Sequence, residues 1–408
     1  MINVDSTIQS TAPPSLTAKE AAKLLGVKPQ TLYAYASRGL LRHVGDGKRR
    51  RYLSEDLERL RTRQRARSGH GAVAAAALSF GDPVLDSSIT AIDARGPLYR
   101  GRPAVELAQA GASFESVAEL LWSGELPSES PAWRPFQGPA RAWGPARTSL
   151  EDLLLALPAL VQLSPERHSR ARESELSLAR QLIRSIALLL VAPAARREGG
   201  SIAELLSGAA KAPRKAAQRA LDVALVLLAD HELNASSFAA RVAASTDAHL
   251  LACVIAALAT LSGPRHGGAC DRVEALLDEA ATLPRPLDVI ERRARRGDAM
   301  TGFGHPLYPA SDPRAVLLLE EARTLSRRTA GLGKRLEPLF SLAQAMQRQG
   351  LPATVDFGLV ALTRALEMRP GSAALLFALG RSAGWVAHVL EQRTSEAVLR
   401  PRARYLDA

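Results

Sequence analysis

The feature that most constrains this chain is the spacing of its apolar residues from about residue 82 to the end. Ala- and Leu-rich segments with Arg and Glu at intervals of three and four recur at 114–122, 150–163, 171–190, 215–229 and 373–391. Apolar residues at that spacing share one face of a helix, and the face has to be buried against other helices. Pro and Gly cluster between the segments, where helices stop. No fixed period relates one segment to the next, which argues against a solenoid. The pattern predicts a mainly α body. A β-branched stretch at 84–92 reads as a small hairpin, and the Pro-rich stretch 126–146 reads as an irregular connection.

Composition closes several other classes. Apolar residues are 47% of the 408 and charged residues 23%, which is globular composition. The only cysteines are Cys253 and Cys270, too few for a disulfide scaffold or a multi-cysteine zinc module. No metal-ligand spacing is visible. The start, MINVDSTIQS, has no basic region leading into an apolar one, so no secretory signal is read. The near-apolar runs at 185–195 and 250–261 fall short of the roughly 18 residues of a membrane span. The expectation is a soluble, cytoplasmic protein of a reducing compartment, with no membrane partner.

Positive charge is unevenly placed. The chain carries 53 Lys and Arg against 41 Asp and Glu, a net +12. Residues 15–68 hold 14 basic and 5 acidic residues, so +9 lies there and +3 in all the rest. A compact basic segment beside a balanced body is the electrostatic footprint of a nucleic-acid-binding module; its plainer reading is an arginine-rich solvated face. The local pattern goes further than charge. Thr17-Ala18-Lys19-Glu20 is a capping box, Ala21, Ala22, Leu24 and Leu25 supply the buried face of a short helix, and Gly26 suits its stop. Pro29 suits the first turn of a second helix carrying Thr31, Leu32, Tyr33 and Tyr35, which Gly39 ends. Gly45-Asp46-Gly47 followed by Lys48, Arg49, Arg50, Arg51 and Tyr52 reads as a basic hairpin, and Ser54 caps a third helix through Leu57 and Leu60.

The string LTAKEAAKLLGVKPQTLYAYASRGLLRHVGDGKRRRYLSEDLERL resembles the excisionase/MerR-type winged helix-turn-helix along its full length. That resemblance implies a second helix in the major groove of double-stranded DNA, with Gln30, Thr31, Tyr33 and Tyr35 near base edges or phosphates. The wing residues Lys48, Arg49, Arg50 and Arg51 would neutralise phosphates. The alternative is a small helical interaction domain that has lost DNA binding. The implied organisation is a disordered 1–14, a winged helix-turn-helix at 15–61, a linker at 62–81 and a body at 82–408.

In the body, histidines fall in Gly-rich or turn contexts. Ser262-Gly263-Pro264-Arg265-His266-Gly267-Gly268-Ala269 places His266 in a helix-breaking turn ahead of a helix at 271–281, whose N-terminal amides disfavour a charged imidazole. Gly302-Phe303-Gly304-His305-Pro306 repeats the theme, with Asp312-Pro313-Arg314 close behind. Asp230-His231-Glu232 follows an apolar run, and Val355-Asp356-Phe357 sets a carboxylate among apolar neighbours, where desolvation raises its basicity. Taken singly, each is more often a packing or capping residue. Together with Arg314, Arg381 and Arg400 they suit a substrate with several carboxylates and a carbanion-forming step.

Here the body resembles the citrate synthase family. TAIDARGPLYRGRPAVELA with FESVAELLWSGELP, then ADHELNASSFAARVAAST, LSGPRHGGACDRVEALL, GFGHPLYPASDPRA, TVDFGLVALTRALEM, LLFALGRSAGWVAHVLEQR and LRPRARY follow in that family's order. The resemblance implies a large helical domain and a smaller one at roughly 264–360 that closes over the ligands. It implies condensation of acetyl-CoA with oxaloacetate in the tricarboxylic acid cycle, with a coenzyme A thioester as substrate and no tightly bound cofactor. Residue by residue, it makes Asp356 the general base and His266 the hydrogen-bond donor to the thioester oxygen. His305 becomes the group that polarises the oxaloacetate carbonyl, and His231 a further oxaloacetate contact. Arg314, Arg381 and Arg400 become carboxylate clamps, with Arg400 serving the neighbouring subunit of a homodimer with shared sites. Coenzyme A is expected against Met300, Gly302 and Gly304.

Several positions depart from the family pattern. Where G-P-L-H-G-G-A-N is common, Arg265 and Cys270 replace Leu and Asn. A basic residue and Val usually follow the second histidine; here Pro306, Leu307, Tyr308 and Pro309 stand. Phe357, Gly358 and Leu359 replace Tyr-Ser-Gly after the Asp, and no His-Pro-Met-Asp segment is recognisable at 150–184. The departures bear on acyl-CoA choice. Two alternatives therefore stay open: a transcription regulator that uses the body as a carboxylate or acyl-CoA sensor, and a 2-methylcitrate synthase that uses propionyl-CoA.

Overall fold

A computed structural model describes residues 15–37, 41–45, 50–53, 56–57, 85–138, 144–164, 166–197, 199–395 and 397–401. Contacts divide the chain into two compact units, one within residues 1–86 and one spanning Ser87–Arg402. The expected disordered N-terminus 1–14 and the expected linker 62–81 lie outside the described residues, as do Lys48 and Arg49.

The first unit runs β1 (Ser15–Thr17), α1 (Ala18–Leu25), α2 (Pro29–Ser37), β2 (His43–Val44) and β3 (Arg51–Leu53). The capping box forms: the Glu20 amide donates to Thr17 Oγ1 and the Thr17 amide to Glu20 Oε2. Gly26 ends α1 at φ +62°, a conformation open to glycine at little cost. Strands β2 and β3 pair antiparallel as the wing, and β1 adds to the far side of β3, giving the order β1-β3-β2. The three-residue strand β1 is too short to be read from sequence; its partner lies more than thirty residues away. A small core of Ala21, Ala22, Leu25, Leu32, Leu41, Tyr52 and Leu57 holds the unit together. Asp56 and Leu57 are helical, and the remainder of the expected third helix lies outside the described residues.

The second unit opens with a small antiparallel sheet, β4 (Thr90–Asp93), β5 (Gly96–Tyr99) and β6 (Arg102–Pro103). The hairpin expected at 84–92 is thus displaced towards the C-terminus. Asp93 Oδ1 accepts the Arg95 amide at 2.8 Å and Gly96 takes φ +98°, which makes the turn at 94–95. Helices follow: α3 (Ala104–Gln109), α4 (Phe114–Ser123), α5 (Leu150–Val161), α6 (Arg172–Leu190), α7 (Ile202–Ser207), α8 (Arg214–Leu228), α9 (Ala235–Ser245) and α10 (Leu250–Leu261). The chain then forms α11 (Ala269–Ala281), α12 (Asp288–Arg296), α13 (Pro313–Arg328), α14 (Leu332–Arg348), α15 (Val355–Ala365) and α16 (Ser372–Gln392). The Pro-rich connection between α4 and α5 carries no regular element among its described residues.

Helix α16 is the axis of the body. It packs against α4, α5, α6, α8, α9, α10, α11 and α15, and Glu391 is its one residue that is not buried. At 21 residues with mean hydropathy 1.4 it is long and apolar enough to cross a membrane, the one such helix among the described residues, and that stretch is wholly buried in the protein. The short-run estimate made from sequence overlooked it because Arg381 and His388 interrupt the apolar letters. Residues Arg381, Trp385, His388 and Gln392 recur along one face and all meet the segment that runs from the end of α8 into α9. Gly384 permits this approach. Its amide donates to the Ala229 carbonyl at 2.8 Å, and a Cβ there would overlap that carbonyl and the Asp230 carboxylate.

Candidate active site

Three turns and three helices converge. His231 lies just after α8, in a turn that Asn234 closes by capping α9: its Oδ1 accepts the amides of Ser236 and Ser237 at 3.1 and 3.2 Å. His266 sits in the turn between α10 and α11, bracketed by hydrogen bonds from its own amide to the Gly263 carbonyl and from the Ala269 amide to its carbonyl. His305 sits in the Gly-rich turn before α13. Arg314 is in the first turn of α13, Asp356 in the first turn of α15, and Arg381 midway along α16.

The rings of His231 and His305 stand edge to face with centroids 5.6 Å apart, and Tyr308 completes the group at 5.7 and 5.2 Å from them. His231 Nε2 and the Tyr308 hydroxyl are 2.9 Å apart. Arg314 lies over the Tyr308 ring, 5.1 Å from its centroid, and Arg381 over Phe377 at 5.0 Å; the edge of the His266 ring meets the same Phe377. The two guanidinium groups treat carboxylates differently. Arg314 is committed to Asp312, with Nε to Oδ1 at 3.0 Å and Nη2 to Oδ2 at 2.9 Å. Asp312 also accepts the Val355 amide at 3.1 Å, which ties the start of α13 to the helix that carries Asp356. Arg381 gives Nε to the Leu228 carbonyl at 2.8 Å, while its Nη2 is buried without a partner. A buried guanidinium nitrogen left bare is costly, so a ligand acceptor is the natural completion.

Protonation follows from this setting. Burial, reinforced by the positive charge of Arg381, lowers the His266 pKa to about 4. Burial and the charges of Arg314 and Arg381 push His231 well below its usual value, and burial with Arg314 lowers His305. All three rings are neutral near pH 7. The cause at His266 is burial and a neighbouring cation, whereas the sequence argument had invoked the α11 N-terminus. Burial raises Asp356, with Arg314 pulling the other way, so its carboxylate is a stronger base than a surface one.

The hydrogen-bond network assigns the tautomer of His305. His305 Nδ1 accepts the Leu307 amide at 3.1 Å, so the proton is on Nε2. His266 Nε2 lies 2.9 Å from Ser236 Oγ, which already accepts Trp385 Nε1–H at 3.0 Å. The Ser236 hydroxyl donates to Asn234 Oδ1 at 2.7 Å, and His266 Nε2 lies 3.3 Å from that same oxygen. His266 Nδ1 has no partner among the described residues. Both rings present one N–H each without carrying charge.

Other expected site residues are placed differently. Arg400 is exposed on the irregular segment 397–401 and has no hydrogen-bond or ion-pair partner among the described residues. Gly302, at φ +92°, has its own packing reason: a Cβ would press on Val273 and Phe357. Gly304 takes φ +73° beside Leu351, and Met300 packs on the core. In the first unit Gln30 and Tyr33 are exposed on α2, Thr31 and Tyr35 are half-buried, Arg50 is half-buried and Arg51 is exposed on β3. Sequence reasoning missed Ser236, Trp385 and the Asp230–His388 pair, which lie within the quoted segments but become neighbours through α16. Among the described residues no group of side chains could hold a metal ion.

Comparison with known proteins covers both units. The citrate synthase C-terminal domain family matches residues 80–402, and the helix-turn-helix domain family matches residues 15–65. The citrate synthase of Haloferax volcanii is 31% identical over 356 residues, covering 79% of this chain and 93% of that protein. The 2-methylcitrate synthase of Shewanella oneidensis is 29% identical over 350 residues, covering 78% and 91%. Among solved structures, citrate synthase from Thermoplasma acidophilum in its ternary complex with carboxymethyl coenzyme A and oxaloacetate has the same fold, with a TM-score of 0.69 at 24% identity over 82% of this chain and 96% of that one. On the sequence match and the shared helical fold together, this chain belongs to the citrate synthase family and carries a helix-turn-helix domain at its N-terminal end.

Proposed function

We propose that the body condenses acetyl-CoA with oxaloacetate and hydrolyses the resulting thioester to citrate and free coenzyme A. The observation that carries this reading is the bare, buried Nη2 of Arg381 beside two neutral imidazole donors and a basic carboxylate. Asp356 takes a proton from the acetyl methyl group. The ring N–H of the neutral His266 stabilises the oxygen of the enol or enolate that forms. The new carbon–carbon bond is made to the ketone carbon of oxaloacetate, and the His305 Nε2–H holds and then protonates the alkoxide. His231 and Arg381 bind the oxaloacetate, and Arg314 lends its charge from the Asp312 pair. Water cleaves the thioester last, releasing the thiol. The test is thiol release from acetyl-CoA with oxaloacetate, compared with an Asp356→Ala control; equal rates in the two proteins sink the reading.

Acyl choice is the finer part. Acetyl- and propionyl-CoA differ by one methylene, worth roughly 1–3 kcal/mol in a fitted pocket, and relatives of both activities are similarly close. The same assay on both thioesters decides it. The site is completed in a homodimer by Arg400 of a second copy, which accounts for an exposed, unpaired arginine in this chain. The helix-turn-helix unit binds double-stranded DNA, with the exposed Gln30 and Tyr33 of α2 towards the groove and Arg51 towards phosphates. Cytoplasmic location and a place in the tricarboxylic acid cycle go with this assignment.

A further inference from the structure

The corner that holds Asp356 departs from the family pattern in a way that touches the reaction directly. Asp356 Oδ2 accepts the Thr354 hydroxyl at 3.2 Å, and Oδ1 meets Cys270 Sγ at 3.7 Å. Cys270 is in the first turn of α11, four residues after His266, so a single turn positions both. That turn is tightly held: a Cβ on Gly268 would press on the carbonyls of Ser262 and Gly263. Cys270 is completely buried, and burial with the adjacent Asp356 raises its pKa well above the usual thiol value. It is therefore an S–H group, able to donate and unable to act as a thiolate.

The groups acting on Asp356 come from every element around it. Thr354 caps its own helix, Cys270 comes from α11, Asp312 and Arg314 from the start of α13, and Arg381 from α16. The nearer cation, Arg314, is bound bidentately to Asp312, so both donors on Asp356 are neutral. A charged donor would hold the carboxylate strongly and lower its basicity; an amide, common in the family at position 270, would do so to a smaller extent. A thiol is the weakest donor that still fixes the group.

Resting on the reading of Asp356 as the base, we propose that Cys270 is a positioning residue: its thiol orients Asp356 while leaving Oδ1 loosely engaged and free to accept a carbon-bound proton. The oxygen exchanges a weak S–H contact for the substrate methyl group, so little is lost on the way to the transition state.

The test uses the full chain with Cys270→Ser and Cys270→Ala. Serine, a stronger donor, should move the acidic limb of the kcat/KM profile down by about 0.5–1 pH unit and lower the plateau kcat about 3- to 10-fold. Alanine should move the limb the opposite way, with KM for oxaloacetate within about twofold of the parent, since Cys270 acts only through Asp356. Carboxyl-detected NMR titration of Asp356 in the unliganded protein, assigned with Asp356→Asn, should show the same opposed shifts. Superimposable titrations for parent and serine variant overturn the proposal, whatever the activity. If the titrations move but the parent releases no thiol, the contact stands and the activity reading fails. Serine is nearly isosteric with cysteine and carries the test if the alanine variant does not fold.

Discussion

The first unit encloses seven core residues and displays its charge, whereas the body buries His231, Arg314 and Arg381 and half-buries His266, His305 and Asp356. An exposed basic wing acts by long-range attraction to phosphates and tolerates small shifts of its side chains. In the proposed reaction the cluster of His231, His266, His305, Asp356 and Arg381 depends on the exclusion of water. Burial is what keeps the imidazoles neutral and the carboxylate basic. The difference teaches that surface electrostatics can be carried by one short segment, while buried acid–base chemistry needs partners from distant parts of the chain. Arg381 meets Leu228 across 153 residues, and Trp385 meets Ser236 across 149.

This contrast predicts separable losses. The largest belongs to Asp356→Ala, which should reduce kcat about 10²- to 10⁴-fold, the usual share of a positioned base, while DNA affinity in a titration stays unchanged. A matching loss of DNA binding breaks the separation. Next is Ser236→Ala. It removes the hydroxyl 2.9 Å from His266 Nε2 that holds the ring in place and should lower kcat about 10-fold or more, in keeping with the loss of a preorganised donor. An unchanged kcat means the Ser236 hydroxyl does not position His266. On the other side, Arg50→Ala with Arg51→Ala should reduce the slope of log affinity against log salt by about 2, at roughly 0.9 per phosphate contact, and leave thiol release intact. The smallest effect is Thr17→Ala, which should cost the first unit about 1 kcal/mol through the lost cap, read as an earlier local transition in hydrogen exchange.

The pH dependence sharpens the same contrast. Asp356 reacts as the carboxylate, so activity falls as pH drops through its raised pKa. His266 titrates at about 4 in the folded protein against 6.5 for the free side chain. Between those values the unfolded chain binds the extra proton, so stability rises with pH across that window. Thermal melts at pH 4.5 and 7 should show this, and His266→Gln should reduce the difference.

Much of the architecture was legible locally. The capping box at Thr17, the stop at Gly26, the long helices and the histidine turns each depend on residues within a turn or two of one another, so spacing reveals them. The hairpin at 90–99 was placed too early because only Thr90 and Ile92 of the β-branched residues at 84–92 fall in β4, while the Asp93–Gly96 turn sets the register. Helix α16 was legible as an Ala- and Leu-rich segment at 373–391, but its burial on every side was not, because Arg381 and His388 inside it serve a buried site.

What the sequence determined by itself was the helical periodicity, the basic N-terminal segment and the identity of the groups available for chemistry. Tertiary structure alone decided which of those groups are active. It left Arg381 Nη2 bare while Arg314 was taken up by Asp312. It set the Ser236 hydroxyl against His266 Nε2 and put a thiol against the base. The physical reason is that protonation state and free hydrogen-bonding capacity are properties of an environment, and that environment is assembled from parts of the chain up to 153 residues apart.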